Sequence, residues 1–211
     1  MILNVLAVGD VVGDGGLDYL GQHLRALKKL KNIHFTVVNG ENASGVGILP
    51  RQARAIFDAG ADVVTLGNHT WNRIQIADFL EDDRYTLRPA NYTSRVPGRG
   101  WGVYDGPGGV RIGVMNLIGR CEMDSNFDNP FTTADGQILP KGLGFVTDLG
   151  MTGPAESVLG IRPEQAVNRF LGGLPRRFEP APGPCKLESV LFSIDTDQRR
   201  CVSVERVDIR A

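Results

Sequence analysis

The sequence predicts an α/β chain with a mixed sheet and a second sheet, and three observations carry that expectation. Across residues 1–90, short apolar runs alternate three times with segments of helical periodicity. Each apolar run ends in a glycine followed at once by acids, amides or an imidazole. The second half instead holds pairs of apolar runs joined by turn residues, the pattern of antiparallel hairpins.

The first run, "ILNVLAV" at 2–8, is short and apolar, as a strand buried on both faces should be. Leu17, Leu20, Leu24, Leu27 and Leu30 then recur at helical spacing after a Gly-rich loop. The segment closes on Lys28, Lys29 and Lys31, which suit a helix C-terminus. "HFTVV" at 34–38 reads as the second strand, and a second Gly-rich loop, "NGENASGVG", leads to a helix opening at Pro50. "DVVTL" at 62–66 is the third strand, and a third helix is expected from about Arg73 to Glu81. Strand alternating with helix predicts parallel pairing through crossovers. Further on, "WGVYD" and "VRIGVMNL" flank the turn "GPGG", and "ESVLFSID" and "CVSVERVDI" flank "TDQ". These are two hairpins, expected to build the second sheet, with one helix after Pro163 between them.

Composition bounds the function. The 211 residues suffice for one sizeable core, and 42% apolar with 22% charged residues is ordinary for a globular chain. A net charge of −1 gives no bulk basic footprint for nucleic acid, although metal ions could supply positive charge for a small phosphorylated ligand. "MILNVLAVGD" has no basic region and meets Asp10 too early for a secretory signal, and no apolar run approaches the roughly 20 residues that span a bilayer. The three cysteines form no C-x-x-C pair and read as reduced thiols of a cytoplasmic protein.

The chemistry sits at the strand ends. The first strand ends in Asp10, the second in Glu41 and Asn42, and the third in Asn68 and His69. These groups recur at about the 30-residue interval of a βαβ unit, so a parallel sheet should bring them to one edge. Carboxylate and amide oxygens with an imidazole suit divalent metals. If two ions bind, Glu41, on the middle loop, is placed to bridge them. Taken singly, Asp10 also reads as a helix N-cap, Asn42 as an Asx-turn and His69 as a structural histidine. The rival dinucleotide fold lacks its fingerprint, because "GDVVGDGG" is not G-x-G-x-x-G, and no phosphate-binding G-x-x-x-x-G-K-[ST] occurs.

The strings "GDVVG", "VNGENASGVG", "ADVVTLGNHTW", "LRPANY", "NLIGR", "ILPKG" and "TDLGMTGP" resemble the YmdB-like branch of the calcineurin-type metallophosphoesterases. The resemblance implies one domain over 1–211, a two-sheet metallophosphoesterase sandwich with α/β/β/α layers and mixed sheets. It implies two divalent metal ions, iron or manganese, with zinc or magnesium as alternatives. It also implies hydrolysis of small phosphodiesters, 2′,3′-cyclic nucleotides in this branch. Carried over by motif, Asp10, Glu41, Asn42 and Asn68 match metal ligands, and His69 matches the proton donor to the leaving oxygen. Two further family segments, Asp-Phe-His-Gly-Glu and Gly-Thr-His-Thr-His-Val-Gln-Thr-Ala-Asp, are missing, and "DNPFT" runs directly into "TADGQILPKG". That junction implies an internal deletion near 132–133. His23 and His34 read as structural.

Arg120, Asp148 and Thr152 are lesser candidates for substrate contact. Arg120 equally suits a surface ion pair, and Asp148 and Thr152 a plain turn. Two functions stay open: a metal-dependent phosphodiesterase, or a catalytically impaired relative that regulates or binds nucleotides. Neither requires a membrane, and both are compatible with a homo-oligomer.

Overall fold

The computed structural model of the chain describes residues 1–120, 127–135, 146, 148–174 and 176–210. In chain order, β1 (Ile2–Val8) and β2 (Asp10–Val11) lead into α1 (Gly13–Leu30). Then follow β3 (Phe35–Asn39), α2 (Pro50–Ala59), β4 (Val63–Thr65), α3 (Ile76–Asp82) and β5 (Thr86–Leu87). The hairpin β6 (Trp101–Asp105) and β7 (Arg111–Met115) precedes α4 (Pro130–Asp135), β8 (Met151–Pro154) and α5 (Pro163–Phe170). The chain closes through β9 (Cys185–Leu187), β10 (Ser189–Asp195), β11 (Arg200–Arg206) and β12 (Ile209–Arg210).

The main sheet has the order β11-β10-β1-β3-β4-β5. β1, β3, β4 and β5 run parallel, as the alternating pattern requires, and β10 pairs antiparallel to the whole of β1, from Ile2↔Asp195 to Val8↔Ser189. The two-residue period of the strands sorts their side chains onto two faces. Leu6, Val8, Val38 and Val64 join Leu20, Leu24, Leu27 and Ile56 of α1 and α2 in one core. Phe35, Val63 and Leu87 point the other way and pack with Tyr104 of the β6–β7 hairpin. That hairpin is locked to the sheet edge by Tyr104 Oη, which donates to the Arg84 carbonyl at 2.9 Å.

The second sheet departs from the expectation that the hairpins would build it. The β10–β11 hairpin joins the main sheet beside β1, and β6–β7 stays two-stranded. The second sheet is β12-β9-β8-β2, made of strands two to four residues long. Such strands are too short to show a period in sequence. α3 also begins later than expected, because a 3-10 turn at Thr70–Asn72 intervenes. The chain runs continuously through 132–133 inside α4, where Thr133 N–H donates to the Asn129 carbonyl at 3.0 Å.

Candidate active site

The parallel register does bring the strand ends to one edge. Val38 pairs with Val64 and Asn39 with Thr65, so the loops that leave β3 and β4 lie side by side. β2 continues the first strand end and pairs with β8, Asp10 opposite Met151.

Asn42 is the hub. Its Nδ2 donates to Asp10 Oδ2 at 2.6 Å and lies 3.4 Å from Glu41 Oε1, while its Oδ1 faces His69 Nδ1 at 2.7 Å. Its backbone carbonyl accepts from Gly13 and Gly45. Asp10 is not the N-cap of α1: that position is Val12, with no side-chain capping bond. The short-range turn belongs to Asn39, whose Oδ1 accepts from the Glu41 backbone N–H at 3.0 Å. The amide of Asn42 turns its nitrogen, not its oxygen, towards the two carboxylates, so ligation through oxygen would need the amide to turn over.

The carboxylates are incompletely satisfied. Asp10 Oδ1 and Glu41 Oε2 are buried with no hydrogen-bond partner. Burial pushes the Asp10 carboxyl up to about 7, Asn42 opposes the shift, and Glu41 adds to it. Burial likewise raises Glu41, partly offset by hydrogen bonds from the His69 backbone and Asn42. Burial lowers His69, which favours the neutral imidazole. Two buried, under-bonded carboxylate oxygens, on side chains that share the Asn42 amide nitrogen, form a place where a divalent cation would be stabilised. Among the described residues, no three His, Cys, Asp or Glu side chains gather as a metal cluster.

The other sequence candidates lie as follows. Asn68 is exposed between Gly67 and His69, and its carbonyl accepts from Tyr92 Oη at 3.4 Å. Asp148 is exposed and caps its own turn, Oδ1 accepting from Gly150 N–H at 2.8 Å. Thr152 is fully buried in β8 opposite Val11, so it lies beneath the site, not on its surface. Arg120 is exposed. His23 stacks on Tyr19, and His34 Nδ1 accepts from the Asn4 N–H, so both serve the fold. Cys185 and Cys201 are free thiols, and Cys121 lies outside the described residues.

Sequence reasoning missed an aromatic cluster. Tyr92 meets Trp71 edge-on at 6.1 Å between ring centroids and Phe127 at 4.7 Å. Only Trp71, two residues beyond His69, hinted at it; Tyr92 and Phe127 are separated from it in sequence and carry no shared period.

The sequence model of the family described as "YmdB-like protein" matches residues 6–136 and again 132–207. A Bacillus subtilis relative named 2′,3′-cyclic-nucleotide 2′-phosphodiesterase is 32% identical over 256 aligned residues, covering 97% of this chain and 96% of the relative. A putative phosphatase/phosphodiesterase of Mycoplasma genitalium is 26% identical, covering 98% of this chain and 93% of the relative. Among solved structures, a hypothetical protein from Thermus thermophilus superposes with a TM-score of 0.87 at 28% identity, covering 99% of both chains. A Mycoplasma pneumoniae structure described as a novel phosphatase superposes with a TM-score of 0.88 at 23% identity, covering all of this chain and 94% of that one, and bears on the fold alone.

Proposed function

The chain belongs to the YmdB-like family, and from that premise we propose that it is a phosphodiesterase whose preferred substrates are small 2′,3′-cyclic nucleotides. One observation carries the reading: two under-bonded, buried carboxylates, Asp10 and Glu41, lie within one amide of a histidine held in place by Asn42. Tyr92, half-buried with its Oη donating to the Asn68 carbonyl, offers an aromatic ring beside the site on which a nucleobase could stack.

Asp10 and Glu41 would hold divalent ions, with Asn68 contributing an oxygen; Asn42 would contribute one only with its amide turned over, and its oxygen would then no longer face His69. When bound, such ions neutralise phosphate charge and acidify water. The chain's own part is separate from that. Asn42 fixes the imidazole of His69 through Nδ1, which leaves Nε2 to handle the proton of the leaving oxygen. The loops after β3 and β4 hold these groups against one another, so little reorganisation is needed on binding. A cytoplasmic setting fits the free thiols, and no helix of the described residues is long and apolar enough to cross a membrane.

A second reading, a catalytically impaired nucleotide-binding relative, is favoured by a specific observation. The alignment to the Bacillus subtilis relative is longer than this chain, and the family model matches in two pieces that meet at 132–136. Both fit an internal deletion that removes the histidine segments. The deciding experiment supplies manganese or iron and follows hydrolysis of adenosine 2′,3′-cyclic phosphate with metal content per chain. Turnover that disappears in Asp10→Asn and Glu41→Gln supports the enzyme. Nucleotide binding without turnover transfers the assignment to the second reading.

A further inference from the structure

A cavity of about 320 Å³ opens beside the site, between the loop that follows Asn42 and the first turns of α1 and α2. Gly13 and Gly45 form part of its wall, and both donate their backbone N–H to the Asn42 carbonyl, at 3.0 and 2.7 Å. The cavity is thus one hydrogen bond away from the residue that joins Asp10 to His69.

Two exposed arginines line this cavity, Arg51 and Arg73, and neither forms an ion pair with a described residue. The stem of Arg73 is set by the fold: Gly47, at φ +80°, lets it approach so closely that a Cβ there would lie 2.9 Å from Arg73 Cγ. The wall is built, not loose. Gln52 is buried, accepts from Ser44 Oγ and the Leu49 N–H, and donates to the Ala43 carbonyl at 2.8 Å. The wall carries one acid, Asp14. A concave site with two cations and one anion, in a chain whose net charge is −1, is a local positive focus. Guanidinium forks match phosphate oxygens in shape as well as charge.

We propose that this cavity receives a second phosphate of the substrate. The preferred substrate class is then a nucleotide that ends in a 2′,3′-cyclic phosphate and carries another phosphate on its 5′ side, as at the end of an oligonucleotide. The inference rests on the proposed function, because it assigns the reacting phosphate to the Asp10–Glu41 site.

Equilibrium binding to the full chain supplied with manganese tests it, with adenosine 3′-monophosphate and adenosine 3′,5′-bisphosphate as the two probes. The bisphosphate should bind about tenfold more tightly, the worth of one good charge-assisted hydrogen bond. Arg51→Ala and Arg73→Ala should each remove most of that preference and leave the monophosphate affinity unchanged, and Asp14→Asn should enlarge it. Equal affinity for the two probes in the parent, or a preference that survives both arginine changes, overturns the subsite and leaves the proposed function standing. A parent that binds neither probe overturns both.

Discussion

Glu41 packs against the bare backbone of Gly67, so closely that a Cβ added there would lie 1.6 Å from Glu41 Oε2. The glycine after β4 therefore makes room for a carboxylate delivered by the loop after β3. Gly67→Ala must push Glu41 out of place, and a displacement near 1 Å at a reacting centre costs about 10²-fold in rate. We expect turnover to fall by that order and bound metal to decrease, with the thermal midpoint little changed. Calorimetry and metal analysis of the variant check this. Parental metal content with parental turnover would show that Glu41 is not confined as described.

Asp10 gives the metal-free protein a pH-dependent stability. Its folded pKa is raised to about 7 by burial, whereas an unfolded aspartate titrates near about 3.9. The folded state therefore keeps a proton that the unfolded state has lost between these values. This group's contribution to stability is fully present below about pH 4 and is lost as pH rises through about 7, and Glu41, raised in the same direction, adds to the trend. In the presence of a chelator, the melting temperature should drop between about pH 5 and 7.5. Manganese should restore it, and Asp10→Asn should flatten both responses. A parent whose melting temperature holds steady across that range would contradict the burial of this carboxylate.

Gln52 tests the loop that carries Asn42. Its side chain is buried and makes three hydrogen bonds, to Ser44, Leu49 and Ala43, which tie residues 43–49 to the start of α2. Gln52→Ala leaves the Ala43 carbonyl and the Leu49 N–H without these partners. The cost should be on the order of 2–3 kcal/mol, measured by urea denaturation. A loss within about 0.5 kcal/mol would mean that the loop is held by other contacts.

The convergence of Asp10, Asn42 and His69 was legible because short apolar runs alternating with helices fix parallel strands, and parallel strands share a C-terminal edge. The second sheet was not, since Asp10–Val11 and Cys185–Leu187 are strands only by virtue of their neighbours. Gln52 was hidden for a related reason: its role is reciprocal to the Leu49 backbone, and a glutamine in the first turn looks like surface. Thr152 was misread because a Gly-rich string suggests a loop, whereas pairing with Val11 places it inside a sheet. The orientation of the Asn42 amide depends on what surrounds it in space, and no spacing rule encodes that.

His69 provides the final test. Asn42 Oδ1 can only accept, so at 2.7 Å the His69 Nδ1 carries the hydrogen, and the neutral ring leaves Nε2 bare. Burial keeps the imidazole below its ordinary 6.5, so the ring must gain a proton before Nε2 can donate one. The donating form therefore grows as pH falls through that lowered value and is scarce above it. His69→Ala should reduce turnover by about 10²-fold on a nucleoside 2′,3′-cyclic phosphate, whose leaving alkoxide needs a proton. The reduction should be much smaller on a nitrophenyl phosphodiester, whose leaving group needs little protonation. Parallel pH–rate profiles should show the parent's advantage over the variant, on the poor leaving group, widening towards acid. An equal loss on both substrates, unchanged with pH, would make His69 a positioning residue for Asn42 and not the proton donor.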